Sequence, residues 1–116
     1  MTPNRLPLCF TALLAACAWA TVVHAAEPDT SRQQQLVRMV RQDCGACHGM
    51  QLKGGLGPAL TPAALADKPL DSMAAVIFGG RPGTPMPPWR GLLTEAEARW
   101  IAQALAAGFP QEGTAR

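Results

Sequence analysis

Cys44, Cys47 and His48 place two thiols and an imidazole inside one pentapeptide, CGACH, within the stretch RQDCGACHGM. Cys9, Cys17 and His24 fall in an apolar N-terminal segment, so every cysteine and histidine beyond residue 25 belongs to this pentapeptide. Two chemistries of paired thiols fit it poorly. A structural zinc ion takes four protein ligands, and the chain beyond residue 25 offers three good ones, all within one turn. A thiol-disulfide oxidoreductase places Cys-x-x-Cys at the start of a helix after a strand. Here SRQQQLVRMVRQD precedes Cys44 with Leu36, Val37, Val40 and Cys44 at helical spacing, and neither it nor the later chain holds a strand run.

Cys-x-x-Cys-His is also the spacing of covalent c-type haem attachment. Two thiols one helical turn apart meet the two vinyl groups of the porphyrin, and the adjacent His48 then turns its imidazole to the iron. One axial position is left, and its occupant separates electron carriage from binding of small ligands. Met50 is too close to His48 to reach the other side of the ring, and Met39 reads as core of the leading helix. Met73 lies in LDSMAAVIF, where Leu70, Met73, Ala74 and Ile77 share a helical face, a pattern of core or haem-wall packing. Met86 lies in GGRPGTPMPPW, where Pro82, Pro85, Pro87 and Pro88 forbid regular helix and stiffen the backbone. A thioether in a stiff loop is held at low entropic cost, which points to Met86 as sixth ligand; the competing reading is a surface turn that caps the haem without bonding it. GGLGP, ending at Pro58, is either the source of a carbonyl for the second ring nitrogen of His48 or a tight surface loop.

The elements that must hold these groups are helical. The closing helix is delimited by a capping box, Thr94 and Glu97 in TEAE, and by Gly108 and Pro110. Its apolar face, Trp100, Ile101, Ala104 and Leu105, is expected to pack on Leu36, Val37 and Val40. The fold class is therefore all-α, three to four helices wrapped around one covalently bound haem.

The first residues read as an address rather than as fold. Met1 to Arg5 carries one positive charge, Leu6 to Val23 is almost wholly apolar, and Val23-His24-Ala25 fits signal-peptidase cleavage near Ala25 or Ala26. Residues 1–25 are read as a cleaved signal peptide and residues 26–116 as one domain. A rival reading makes Leu14-Ala15-Ala16-Cys17 a lipoprotein box with Cys17 acylated, although the apolar run continues past Cys17 to Val23. The eighteen residues from Leu6 to Val23, interrupted by Pro7 and Thr11, fall short of the roughly 20 that span a bilayer. Beyond residue 25 nine Lys or Arg face eight Asp or Glu, a balance that gives no case for nucleic acid. A domain of this size buries only about 60% of the surface its unfolded chain exposes, so a covalently held cofactor can serve as the core the chain is too short to build.

With CGACH, GLGPAL, PGTPMPPW and the terminal helix in this order, the chain resembles class I cytochromes c over its length beyond the leader. The resemblance implies Cys44 and Cys47 as thioether anchors, His48 as proximal ligand, Pro58 as its carbonyl partner and Met86 as distal ligand, so that His48 and Met86 hold the iron of one haem c. Trp89 looks like the tryptophan that often follows the methionine loop and bonds a haem propionate, and packing alone explains it equally well. CHGMQLKGGLGPALTP and GRPGTPMPPWRGLLTEAEARWI are similar to the small monohaem cytochromes encoded beside the haem c and d-type nitrite reductase of denitrifying bacteria. That likeness implies a monomeric, periplasmic electron carrier of a Gram-negative bacterium, without catalysis of its own. Nitrite reductase is its implied redox partner. Arg81 and Arg90, which bracket the methionine loop, and Lys53, which follows the attachment motif, read either as solvated surface charge, the simpler reading, or as a partly cationic rim that steers an acidic partner. The alternatives are an accessory factor in d-type haem maturation and, with a displaceable sixth ligand, a ligand-binding haem sensor.

Overall fold

The computed structural model describes residues 26–113, so the leader reading and the acylation alternative at Cys17 lie outside the described residues. Helix α1, Thr30–Met39, starts on Asp29, whose carboxylate accepts the Arg32 backbone N–H at 2.9 Å and the Ser31 hydroxyl at 2.8 Å. That side chain satisfies donors a helix start leaves open. From Val40 to Cys44 the backbone widens into one π-helical turn, closed by the Gly45 N–H on the Val40 carbonyl, and the short α2, Gly45–His48, follows. The apolar spacing alone places Leu36, Val37, Val40 and Cys44 on one regular helix. The structure instead accommodates an extra residue just before CGACH, which apolar periodicity does not register because it reports a face and not the width of a single turn.

Helix α3, Pro62–Leu65, is set off by Thr61, which accepts the Ala64 N–H, with Pro62 in the first turn where its missing N–H costs nothing. Helix α4, Leu70–Gly79, buries Met73 and Ala74. Helix α5, Glu95–Ala107, carries the expected capping box: Glu97 N–H donates to Thr94 Oγ1 at 3.1 Å and Thr94 N–H to Glu97 Oε2 at 2.8 Å.

The core joins Leu36 and Val40 of the first helical segment to Leu52, Leu65, Met73, Ala74, Leu93, Ile101, Ala102 and Leu105. The face of α5 differs in detail from its sequence pattern. Ala98, Ile101, Ala102 and Leu105 are buried, while Trp100 and Ala104 lie half-buried beside them. Small side chains at 98 and 102 let α5 lie close along α4, and the bulky indole of Trp100 is accommodated at the margin, packed against the core from outside it. Val37 is buried as expected, at 1% exposure.

One long-range ion pair ties α1 to the start of α5. Arg32 Nε lies 2.5 Å from Glu97 Oε1, and Arg32 also donates to the Leu92 carbonyl at 3.1 Å. The hydrogen bond from Arg32 holds the Glu97 carboxyl below its ordinary 4.5. A depressed folded value stabilises the protein at pH above the unfolded value, and that contribution disappears as pH falls through the folded one. Glu97→Gln keeps a capping side chain but loses the charge. We expect it to cost about 1 kcal/mol at neutral pH, with the difference from wild type closing as pH falls below the ordinary carboxylate value and through the lowered folded one. Urea unfolding of both proteins across that range measures it, and a constant difference would assign the effect to packing instead.

Candidate haem site

The two thiols are presented differently, Cys44 by the end of the π-helical turn and Cys47 by α2. Neither is in a disulfide; Cys44 is half-buried and Cys47 exposed. Burial pushes the Cys44 thiol up to about 11, and the neighbouring Asp43 charge adds to the effect. Cysteines that exchange disulfides have lowered values that populate the thiolate, so this environment does not suit exchange. It suits a thiol whose end state is a neutral thioether.

His48 is held by the loop that follows it. Its Nδ1 lies 2.7 Å from the Pro58 carbonyl oxygen. A carbonyl only accepts, so Nδ1 carries the proton and donates, which leaves the lone pair on Nε2 available to a metal. The loop is fastened to the helix at two further points, Gly54 N–H to the His48 carbonyl and Gly57 N–H to the Cys47 carbonyl, each 2.8 Å. Gly57 lies flat against the ring: a Cβ there would come within 2.8 Å of two imidazole atoms. Leu52 anchors the loop below, at a left-handed φ of 59° and 3% exposure. Such a backbone costs about 1–2 kcal/mol, and burying a leucine returns about 1.5–3 kcal/mol, so the core contact sustains the strained turn. Leu52 also accepts the Leu60 N–H at 2.8 Å, closing the loop on itself.

Met86 is half-buried in the proline-rich segment after α4. Its backbone is pinned on both sides: the carbonyl accepts the Arg81 N–H at 3.2 Å, and the N–H donates to Thr84 Oγ1 at 3.3 Å. Thr84 in turn donates its hydroxyl to the Arg81 carbonyl at 2.7 Å. Gly80, at φ 70°, lets the returning chain pass, since a Cβ there would meet the Pro88 nitrogen at 2.6 Å. Trp89 N–H and Arg90 N–H both reach the Phe78 carbonyl at 3.1 Å, which ties the loop back to α4. The Trp89 side chain is half-buried and packs against the core. Met73 is core, Met39 packs on the core, and Met50 is 67% exposed.

Cys44 closes the π-helical turn and caps the short α2 that carries Cys47 and His48, and Pro58 meets His48 directly. Sequence reasoning named GGLGP but not Gly57 as the residue against the ring, and it passed over Arg41 and Leu52. For Arg41 a signal was present, since it follows Val37 by four residues on a buried face. For Leu52 none was, because a left-handed leucine has no pattern of its own.

A donor nitrogen fixed by a carbonyl, with one unpaired thiol a turn before it and a second on the adjacent residue, fits the haem of a c-type cytochrome. Residues 31–103 match the family model described as cytochrome c oxidase, cbb3-type, subunit III, and the chain belongs to that family of cytochrome c domains. The protein is a haem-based electron-transfer cytochrome whose cofactor is one covalently bound haem c with its iron. It is 57% identical over 81 residues to cytochrome c55X of Pseudomonas aeruginosa, covering 70% of this chain and 68% of that protein. It is also similar to the solved c-type cytochrome NirC, with a TM-score of 0.69 and 56% identity over 70% of this chain and 95% of the other. A third likeness is to part of the dihydro-heme d1 dehydrogenase of Pseudomonas aeruginosa, 38% identical over 74 residues that make up 64% of this chain and 15% of that protein. Among the described residues no helix is long and apolar enough to cross a membrane.

Proposed function

We propose that the protein is a periplasmic, monomeric one-electron carrier that donates to the haem c and d-type nitrite reductase of denitrification and catalyses no reaction itself. The observation that carries the reading is the 2.7 Å contact of His48 Nδ1 with the Pro58 carbonyl, which leaves Nε2 as the nitrogen available to iron. Cys44 and Cys47 would hold the porphyrin covalently, His48 and Met86 would supply the nitrogen and sulfur ligands to its iron, and Trp89 would pack beside it. Bound there, the haem supplies reversible one-electron chemistry. The bonds that hold His48 and the Met86 backbone would keep both ligands in fixed places, so that a change of charge at iron would need little rearrangement. Arg81, Arg90 and Lys53 are all exposed and offer a positive rim to an acidic partner surface. The likeness to cytochrome c55X and NirC supports this role.

Stopped-flow mixing of the reduced holoprotein with oxidised nitrite reductase, without oxygen, tests the proposal. We expect fast transfer that slows as salt is raised; transfer with no salt dependence would remove the rim from the account. The likeness to a dihydro-heme d1 dehydrogenase domain favours a second role, in electron supply during maturation of d-type haem. No transfer to nitrite reductase by a protein whose spectrum shows intact His/Met ligation would move the assignment to that role.

A further inference from the structure

Arg41 is the buried charged side chain among the described residues, 9% exposed. Its Nε donates to the Pro110 carbonyl at 3.2 Å, and one terminal nitrogen donates to the Phe109 and Pro110 carbonyls, both at 2.9 Å. The guanidinium carbon lies 5.5 Å from the centre of the Phe109 ring. All of these partners are neutral. The ion pairs among the described residues join Arg32 to Glu97 and Arg99 to Asp71, so no described carboxylate neutralises Arg41. Glu112 and Lys53 line the same open cleft of about 690 Å³ without pairing to it, and Asp43, two residues along the chain, is exposed. Carbonyl dipoles and an aromatic face solvate a cation but leave its net charge in place.

Along the backbone Arg41 stands next to the redox site. Arg41 belongs to the same π-helical turn as Cys44, three residues before the first thiol. A guanidinium stays protonated at every working pH, and a poorly screened positive charge disfavours the more positive, oxidised form of a neighbouring centre. We infer that Arg41 sets the reduction potential: its buried, unneutralised guanidinium raises the potential of the haem held at Cys44, Cys47 and His48. The inference rests on the haem assignment and deepens it, by naming a residue that fixes the driving force of electron transfer without touching the iron.

The test is redox equilibrium of the haem-loaded protein with a dye of fixed potential, read from both spectra. Arg41→Gln should lower the reduced-to-oxidised ratio about tenfold, equivalent to ~59 mV for one electron. Arg41→Lys keeps the charge and should stay within about twofold of wild type. Both results should persist at high salt, whereas the exposed Lys53→Gln should have a smaller effect that salt removes. If Arg41→Gln folds poorly, Arg41→Met keeps the apolar stem and serves the same comparison. An unchanged ratio in a charge-removing variant with an intact spectrum overturns the inference. An equal fall in Arg41→Lys does so too, because it would assign the effect to tail packing. A wild-type chain without covalent haem would sink the site assignment itself, while loaded proteins of equal potential sink only the role of Arg41.

Discussion

With Met86 as the proposed ligand, replacing it by alanine should lower the potential of the holoprotein by on the order of 0.1–0.3 V, part of the roughly 0.8 V that axial ligands span, and should open the reduced iron to carbon monoxide. The loop should survive the change. Its ties run through backbone atoms and Thr84, with Arg81 N–H on the Met86 carbonyl, Met86 N–H on Thr84 Oγ1, and Trp89 and Arg90 on the Phe78 carbonyl. Alanine keeps every one of them and deletes the thioether alone. A soft sulfur donor favours the reduced iron, so its loss shifts the balance to the oxidised form. Met73→Leu is the matched control: Met73 is 9% exposed within the core, and a swap of similar volume there costs less than about 1.5 kcal/mol while leaving the potential in place. Potentiometry and carbon monoxide titration decide the matter. An unchanged spectrum in Met86→Ala would remove the residue from the coordination sphere and give weight to the ligand-binding sensor.

Gly57→Ala should act from the other side of the site and with the opposite sign. The added methyl would come within 2.8 Å of two ring atoms of His48, closer than side chains tolerate. Neither side yields easily, because the glycine backbone is bonded to Cys47 and the imidazole to Pro58. We expect a loss of about 1–3 kcal/mol of stability, as for other overpacked sites, and a longer or broken bond between His48 and Pro58. A carbonyl on Nδ1–H makes Nε2 a stronger donor to the metal. Weakening that bond makes His48 a poorer partner for oxidised iron, and the potential should rise. The exchange rate of the Nδ1 proton by NMR, measured with the potential, separates this from a general loosening. A variant with wild-type proton protection and melting temperature would show that the ring has room to spare.

Much of the site could be read from residue order. Cys44, Cys47 and His48 are contiguous, and their chemistry is local: a helical turn fixes their separation whatever the rest of the fold does. The capping box at Thr94 and Glu97 and the stop at Gly108 were legible for the same reason, since caps depend on residues three positions apart. The bond between His48 and the Pro58 carbonyl was within reach only through resemblance. On the residues alone GGLGP is equally a surface turn, and a span of ten residues can close in many ways. On α5 the buried Ala98 and Ala102 were missed, and Trp100 and Ala104 are only half-buried, because apolar character marks what can be buried, whereas the approach of α4 decides what is.

The sequence by itself determined the chemistry at CGACH, the helical class, and the rigidity of the segment around Met86, because each follows from covalent structure or from contacts within a few residues. Tertiary structure alone decided three things. It placed Gly57 against the imidazole, held Leu52 in a left-handed turn by its core contact, and buried Arg41 beneath the Phe109 and Pro110 carbonyls, 68 and 69 residues away. In each case the outcome depends on which surfaces meet when the helices pack, and on whether burial outweighs local strain or unneutralised charge. Those balances are settled among residues distant in the chain, where spacing carries no signal.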